Sequence, residues 1–196
     1  MALNLEKGQK ISLNKEAGGA LSIVRMGLGW DVAKSKGMLG GLFGGGGSDS
    51  IDLDASCLMF DEQGSLKDVV WFRQLRSNDG SIQHSGDNRT GAGDGDDETI
   101  TVDLNKVPAT IKTLVFTVNS FLGQSFDKVA NAFCRVVNHS NNQEIARYNL
   151  SCQGAHTALV VAKLYRHNGE WKMAALGESS SGRTFNDMMP VITGHL

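Results

Sequence analysis

From His84 to Glu98 the chain reads His-Ser-Gly-Asp-Asn-Arg-Thr-Gly-Ala-Gly-Asp-Gly-Asp-Asp-Glu. Asp87, Asp94, Asp96, Asp97 and Glu98 stand among Gly86, Gly91, Gly93 and Gly95, with Arg89 as the one cation of the run. Two such charges about 4 Å apart repel by roughly 4 kcal/mol at an effective dielectric near 20. The loop must therefore turn its carboxylates into water or share a cation among them. Glycines allow side-chain and main-chain oxygens to converge, and a flexible oxygen-rich cage is what Ca²⁺ prefers. A solvated acidic turn is the competing reading of this segment taken alone.

Two further acidic clusters raise the weight of the metal reading. Gly27-Leu28-Gly29-Trp30-Asp31 closes one apolar run and Asp52-Leu53-Asp54-Ala55-Ser56 opens the next. Asp52 and Asp54 are two residues apart, so in extended chain they face the same side. Alternation from Asp94 would put Asp94, Asp96 and Glu98 on one side and Asp97 on the other, unless Gly93 and Gly95 bend the loop. The pattern is not an EF-hand: counting from Asp94, position six is Thr99 and position twelve is Asn105. No two histidines have metal spacing, so zinc and copper fit poorly.

Other motifs carry less. Asp52-x-Asp54 resembles a phosphatase aspartate pair, but the apolar strand follows the pair instead of preceding it. A metal-dependent phosphoester hydrolase using the same carboxylates stays as the alternative function. Gly44 to Gly47 lacks the Gly-Lys-Ser/Thr of a phosphate loop. Cys57 and Cys134 fall in apolar runs and read as small buried hydrophobes, while Cys152 lies near a turn. His84 reads as a hydrogen-bonding loop residue. No nucleophile, base and orienting group stand out together, so no enzyme activity is expected.

The elements that position these residues are short strands. Lys10 to Leu13 and Ala20 to Met26 form an expected opening pair. Ser56 to Phe60 and Asp68 to Phe72 flank Asp61-Glu62-Gln63-Gly64 as a hairpin. Thr99 to Leu104 alternates, Leu114 to Val118 is nearly continuous in apolar character, and Asn131 to Asn138, Glu144 to Leu150, Thr157 to Arg166 and Trp171 to Leu176 continue the series. The fold class is all-β, a two-sheet β-sandwich. Short helices are expected only at Ser125 to Ala130 and Phe185 to Met189, the second ended by Pro190. Gly37 to Ser50 reads as a mobile glycine-rich loop within a single domain spanning 1–196.

Composition narrows the classes further. The 196 residues are 40% hydrophobic and 20% charged, with 21 acidic against 19 basic groups and a net charge of −2. No basic stripe is available to neutralise phosphates, which argues against nucleic acid as a partner. The apolar runs are too short to span a bilayer, and the first residues lack a signal-peptide pattern. Three widely spaced cysteines suit a reducing compartment, so the expected location is cytoplasmic.

With these residues assembled, the chain resembles the TerD-type tellurium-resistance proteins, most closely their TerZ branch. The matching stretches are Leu5-Glu6-Lys7-Gly8-Gln9-Lys10, Gly27-Leu28-Gly29-Trp30-Asp31, Asp52-Leu53-Asp54-Ala55-Ser56, the acidic loop, and Tyr165-Arg166-His167-Asn168-Gly169-Glu170-Trp171-Lys172. The resemblance implies a two-sheet β-sandwich that binds two Ca²⁺ in an acidic patch, with roles in tellurite resistance, stress response and phage defence and no established catalysis. Carried over by position, it implies Asp31, Asp52, Asp54, Asp87, Asp94, Asp96, Asp97 and Glu98 as the ligand pool. Expected partners are proteins of a tellurium-resistance system at the inner membrane surface. The glycine-rich insertion is longer than in the TerD branch, a departure that bears on access to the site.

Overall fold

A computed structural model of the protein describes residues 2–32, 52–86, 95–150 and 154–196. The expected loop at Gly37 to Ser50, the carboxylates Asp87 and Asp94, and Cys152 lie outside the described residues.

Twelve strands are described: β1 (Leu3–Leu5), β2 (Lys10–Ser12), β3 (Ile23–Val32), β4 (Leu53–Asp61), β5 (Leu66–Val70), β6 (Ile82–His84), β7 (Glu98–Asp103), β8 (Ile111–Ser120), β9 (Val129–Asn138), β10 (Glu144–Asn149), β11 (Ala158–His167) and β12 (Glu170–Ser180). They form two six-stranded sheets, sheet I in the order β1-β10-β9-β3-β7-β6 and sheet II in the order β2-β12-β11-β8-β4-β5. Two short helices, α1 (Leu13–Glu16) and α2 (Phe185–Thr193), complete the regular structure together with a 3₁₀ turn at Phe126–Lys128.

Alternation decides which residues face inward. Val24, Met26 and Leu28 of β3, Ile100 and Val102 of β7, Cys57 and Met59 of β4, and Leu114 and Phe116 of β8 meet in one core between the sheets. Full burial of such a side chain stabilises by about 1.5–3 kcal/mol relative to exposure. The opposite face of sheet II presents Leu58, Phe60, Val115 and Ala174, and α2 covers them with Phe185, Met188 and Ile192. The molecule is thus a sandwich with a helix laid on the outside of one sheet.

Most expected strands stand, and the 61–64 turn joins β4 to β5 as a hairpin. The opening strands do not pair with each other, however: β2 joins β12 and β3 joins β7 and β9. The Leu13–Glu16 turn carries the chain from sheet II to sheet I. Pro190 does not end α2, which continues to Thr193. The proline forfeits one backbone bond, but Met188 and Ile192 on either side of it are fully buried against sheet II, which outweighs that loss. The expected Ser125 to Ala130 helix shrinks to the single 3₁₀ turn, because β9 begins at Val129.

Candidate functional site

The end of β3, the start of β4 and the start of β7 come together at one end of the sandwich. β7 runs antiparallel to β3 with Glu98 opposite Leu28. Asp97 N–H donates to the Leu28 carbonyl at 2.8 Å, and Trp30 N–H donates back to Asp97 Oδ2 at 2.8 Å. Ala55 N–H of β4 donates to Glu98 Oε2 at 2.7 Å, which ties sheet II to sheet I through one carboxylate.

Glu98 continues the inward row of Ile100 and Val102 and is fully buried. Beside it lies His84 of β6, also buried, with Nε2 3.3 Å from Glu98 Oε2 and 3.2 Å from the Ala55 carbonyl. Gly86 N–H donates to His84 Nδ1 at 3.0 Å, so the ring proton that reaches Glu98 and Ala55 sits on Nε2. His84 is therefore a strand residue aimed into the acidic site, not the loop residue its lone position suggested. The signal that finds it is the alternation Ile82-Gln83-His84, too short to carry weight in the sequence alone.

Asp96 turns the other way. Its Oδ1 accepts from Arg135 Nε at 2.6 Å, and Arg135 Nη1 reaches Glu144 Oε2 at 3.0 Å. This pair lies on the outer face of sheet I, directly over Gly27, where an added Cβ would stand 2.3 Å from the Asp96 carboxylate atoms. A Cβ at Gly29 would stand 2.4 Å from the Phe133 ring and 2.6 Å from the Gly95 carbonyl oxygen. The two glycines thus let the residue 95–97 segment lie flat on β3. Asp96 and Glu98 end on opposite faces, contrary to simple alternation, because the chain turns at Gly95 (φ +110°) and regular extension begins only at Glu98.

Asp97 sits between these two. Burial pushes its carboxyl above the ordinary value of 3.8; the Trp30 N–H bond pulls it down; the charges of Asp31, Glu98 and Asp96 push it up again. Asp31 is exposed and its Oδ2 accepts from Asn131 Nδ2 at 2.8 Å. Asn131 holds a positive φ of 50°, a conformation asparagine tolerates better than most residues.

Asp52 and Asp54 form a separate group. Asp54 is 5% exposed and pairs in register with Asn119 on the α2 side of sheet II, away from Glu98. Asn119 Nδ2 donates to the Arg183 carbonyl at 2.7 Å just ahead of α2, and Asp52 N–H donates to Gln124 Oε1 at 3.2 Å. The six described carboxylates of the expected ligand pool thus divide into Asp31, Asp96, Asp97 and Glu98 around β3 and β7, and Asp52 and Asp54 at the start of β4. Among the described residues, no three His, Cys, Asp or Glu side chains gather tightly enough to hold a metal alone. The donor set is nonetheless oxygen-dominated, which suits a hard cation such as Ca²⁺ over zinc or copper. Arg135, Asn131, Gln124 and the two glycines were not apparent as site residues, since each acts through a partner distant in sequence.

The thiols stand apart from this chemistry. Cys57 and Cys134 are fully buried; burial pushes both well up, Cys134 to about 12. Neither is a reactive thiolate in the folded protein.

A two-sheet sandwich with carboxylates in two groups, one around β3 and β7 and one at the start of β4, defines the class of protein. The profile of the TerD domain matches residues 1–189, and the chain belongs to the TerD family of tellurium-resistance and stress-response proteins. It is 55% identical over 186 residues to tellurium resistance protein TerZ of Serratia marcescens, covering 95% of this chain and 94% of that one. It is 45% identical to stress response protein SCP2 of Bacillus subtilis (strain 168), covering 96% and 98%. A crystal structure of a homologue of telluride resistance protein (TerD) from Streptomyces coelicolor A3(2) has the same fold, with a TM-score of 0.65 at 24% identity over 83% of this chain and 92% of that one. No helix among the described residues is long and apolar enough to cross a membrane.

Proposed function

We propose that this protein is a non-catalytic Ca²⁺-binding member of its family, acting in tellurite resistance and stress response in the cytoplasm and docking to protein partners when loaded. The observation that carries the calcium reading is Asp97, half buried and facing the charges of Asp31, Glu98 and Asp96. A divalent cation relieves that repulsion, and the Trp30 and Ala55 N–H groups orient two of the carboxylates in advance. The split between this group and Asp52–Asp54 supports a reading with two ions, one at each group. Ca²⁺ needs six to eight oxygens, so carbonyls, water and the acidic loop, including Asp87 and Asp94, would complete each shell.

The test is calorimetric titration of metal-stripped protein with Ca²⁺ and Mg²⁺. Ca²⁺ is expected to bind and to raise stability by about 2.7 kcal/mol per independent site at a hundred times the dissociation constant. Mg²⁺ is expected to act weakly, because it sheds water reluctantly. Asp97→Asn and Asp54→Asn should each weaken binding about tenfold, roughly 1.4 kcal/mol, and Glu62→Gln on the exposed hairpin turn should not. A melting temperature indifferent to millimolar Ca²⁺ would remove the calcium reading. Metal-dependent turnover of phosphoesters by the same protein would favour a hydrolase instead.

A further inference from the structure

At the far end of α2 from Asn119 the outer face of sheet II carries lysines. Lys10 of β2 and Lys163 of β11 both stand opposite Ala174 of β12, one on each side of it. All three face the α2 side, and Ala174, itself 1% exposed beneath α2, stands between the two long side chains. Two strand spacings put the Lys10 and Lys163 backbones about 9.5 Å apart. A cleft of about 350 Å³ opens there, lined among others by Lys7, Gly8, Lys10, Lys163, Glu178 and His195.

The charges of this cleft do not balance. Lys7 pairs with Glu178 at 3.1 Å. Neither Lys10 nor Lys163 has a carboxylate within 4 Å among the described residues. Lys163 donates to the His195 carbonyl just past α2 and lies 5.1 Å from the centre of the Tyr165 ring. These contacts fix the Lys163 ammonium without neutralising it. Burial, and then the charge of Lys10, pull its proton affinity below the ordinary lysine value. Like charges brought together across a sheet destabilise it, so an anion seated between them is stabilised from both sides.

We infer that the cleft between Lys10 and Lys163 binds a small phosphate-bearing anion. Lysine serves phosphate as a point charge, without the planar fork that selects carboxylate through arginine. A group with two or more negative charges meets both ammonium groups at once, which a single carboxylate does less well. Some 350 Å³ admits pyrophosphate or a phosphate with a short substituent. The site is independent of the cation sites, being at the opposite end of α2 from Asp54.

Isothermal titration of the full chain with inorganic phosphate and with pyrophosphate, at constant ionic strength and constant free Ca²⁺, tests the inference. Saturable binding is expected, tighter for pyrophosphate. Lys10→Met, an exposed position that leaves the fold intact, should weaken it about tenfold, and Lys163→Met should do at least as much. Lys106→Met, on a distant exposed turn, is expected to change nothing. Absence of saturable binding at millimolar ligand overturns the inference, as does equal weakening by Lys10→Met and Lys106→Met, which would indicate diffuse screening.

Discussion

Replacing Glu98 isolates what the buried carboxylate does for the fold apart from any cation. In Glu98→Ala, the Ala55 N–H and the His84 Nε2–H lose their shared acceptor inside a closed core. A hydrogen bond to a charged acceptor is worth about 1.5–3 kcal/mol net. The lost methylene and the resulting void add about 1 kcal/mol. Relief of the buried charge offsets part of this, so the expected destabilisation is about 3 kcal/mol. Glu98→Gln keeps the shape and one oxygen, which can accept from both Ala55 and His84, and should cost only about 1 kcal/mol. Urea unfolding of metal-stripped proteins, followed by tryptophan fluorescence and by circular dichroism to check two-state behaviour, reads the difference directly. On a chain of this size, each kcal/mol should move the melting temperature by about 2–4 °C. If Glu98→Ala were no less stable than Glu98→Gln, the carboxylate would not be tying the two sheets together, and the account of the site would have to be rebuilt.

Three further outcomes are expected. Gly27→Ala should drive the Asp96 carboxylate away from Arg135, lowering stability by about 1–3 kcal/mol and weakening calcium binding; Gly29→Ala, which meets the Gly95 backbone as well as Phe133, should be worse in the same denaturation assay. The raised Asp97 carboxyl gives metal-stripped protein a pH dependence of definite sign. The folded state holds that proton more tightly than the unfolded chain, so its contribution to stability is fully present below pH 3.8 and is lost as pH rises through the folded value. The stability gap between Asp97→Asn and the parent should therefore widen in favour of the variant as pH increases, and a gap independent of pH would refute the assignment. Finally, a disulfide reagent should leave Cys57 and Cys134 unmodified in the native protein, and a folded Cys57→Ser, Cys134→Ser, Cys152→Ser variant should retain tellurite resistance; loss of the phenotype would point to thiol chemistry.

The strands were legible where one face is buried and the run is long enough to show a period. Thr99 to Leu104 declared its alternation, and β7 carries it from Glu98 inward. The hairpin around Gly64 was legible because its turn chemistry is local. The three-residue edge strands β1 and β6 were not, since three residues barely display a period of two; Lys10–Ser12, equally short, was legible through the turn at 15–19 that follows it. Sheet membership was equally hidden: nothing between Lys10 and Met26 says that the chain changes sheets at Leu13. The acidic residues suggested a site by composition, and their division into two groups depends on which face of β4 and β7 each occupies. The Arg135–Asp96 pair, 39 residues apart, and the His84–Glu98 contact exist only once β6, β7, β9 and β3 are side by side. Pro190 does not stop α2 as its local chemistry suggests, because tertiary packing of Met188 and Ile192 holds the helix through it.

The placement of β1 and β2 also bears on how the chain folds. β1 lies at the edge of sheet I against β10, with Leu3 beside Ala146, and β2 lies at the edge of sheet II against β12, with Lys10 beside Ala174. Each of these strands therefore finds its neighbour more than a hundred residues further along the chain. Each sheet gains its first-in-sequence edge strand only through that distant pairing, and closure across so many intervening residues is slow because its entropy must be met before the pairing rewards it. The amino-terminal segment is expected to be the last to dock and the first to detach. Hydrogen exchange would register this as early loss of protection at Leu5 and Ile11 while the central strands β8 and β9 remain closed.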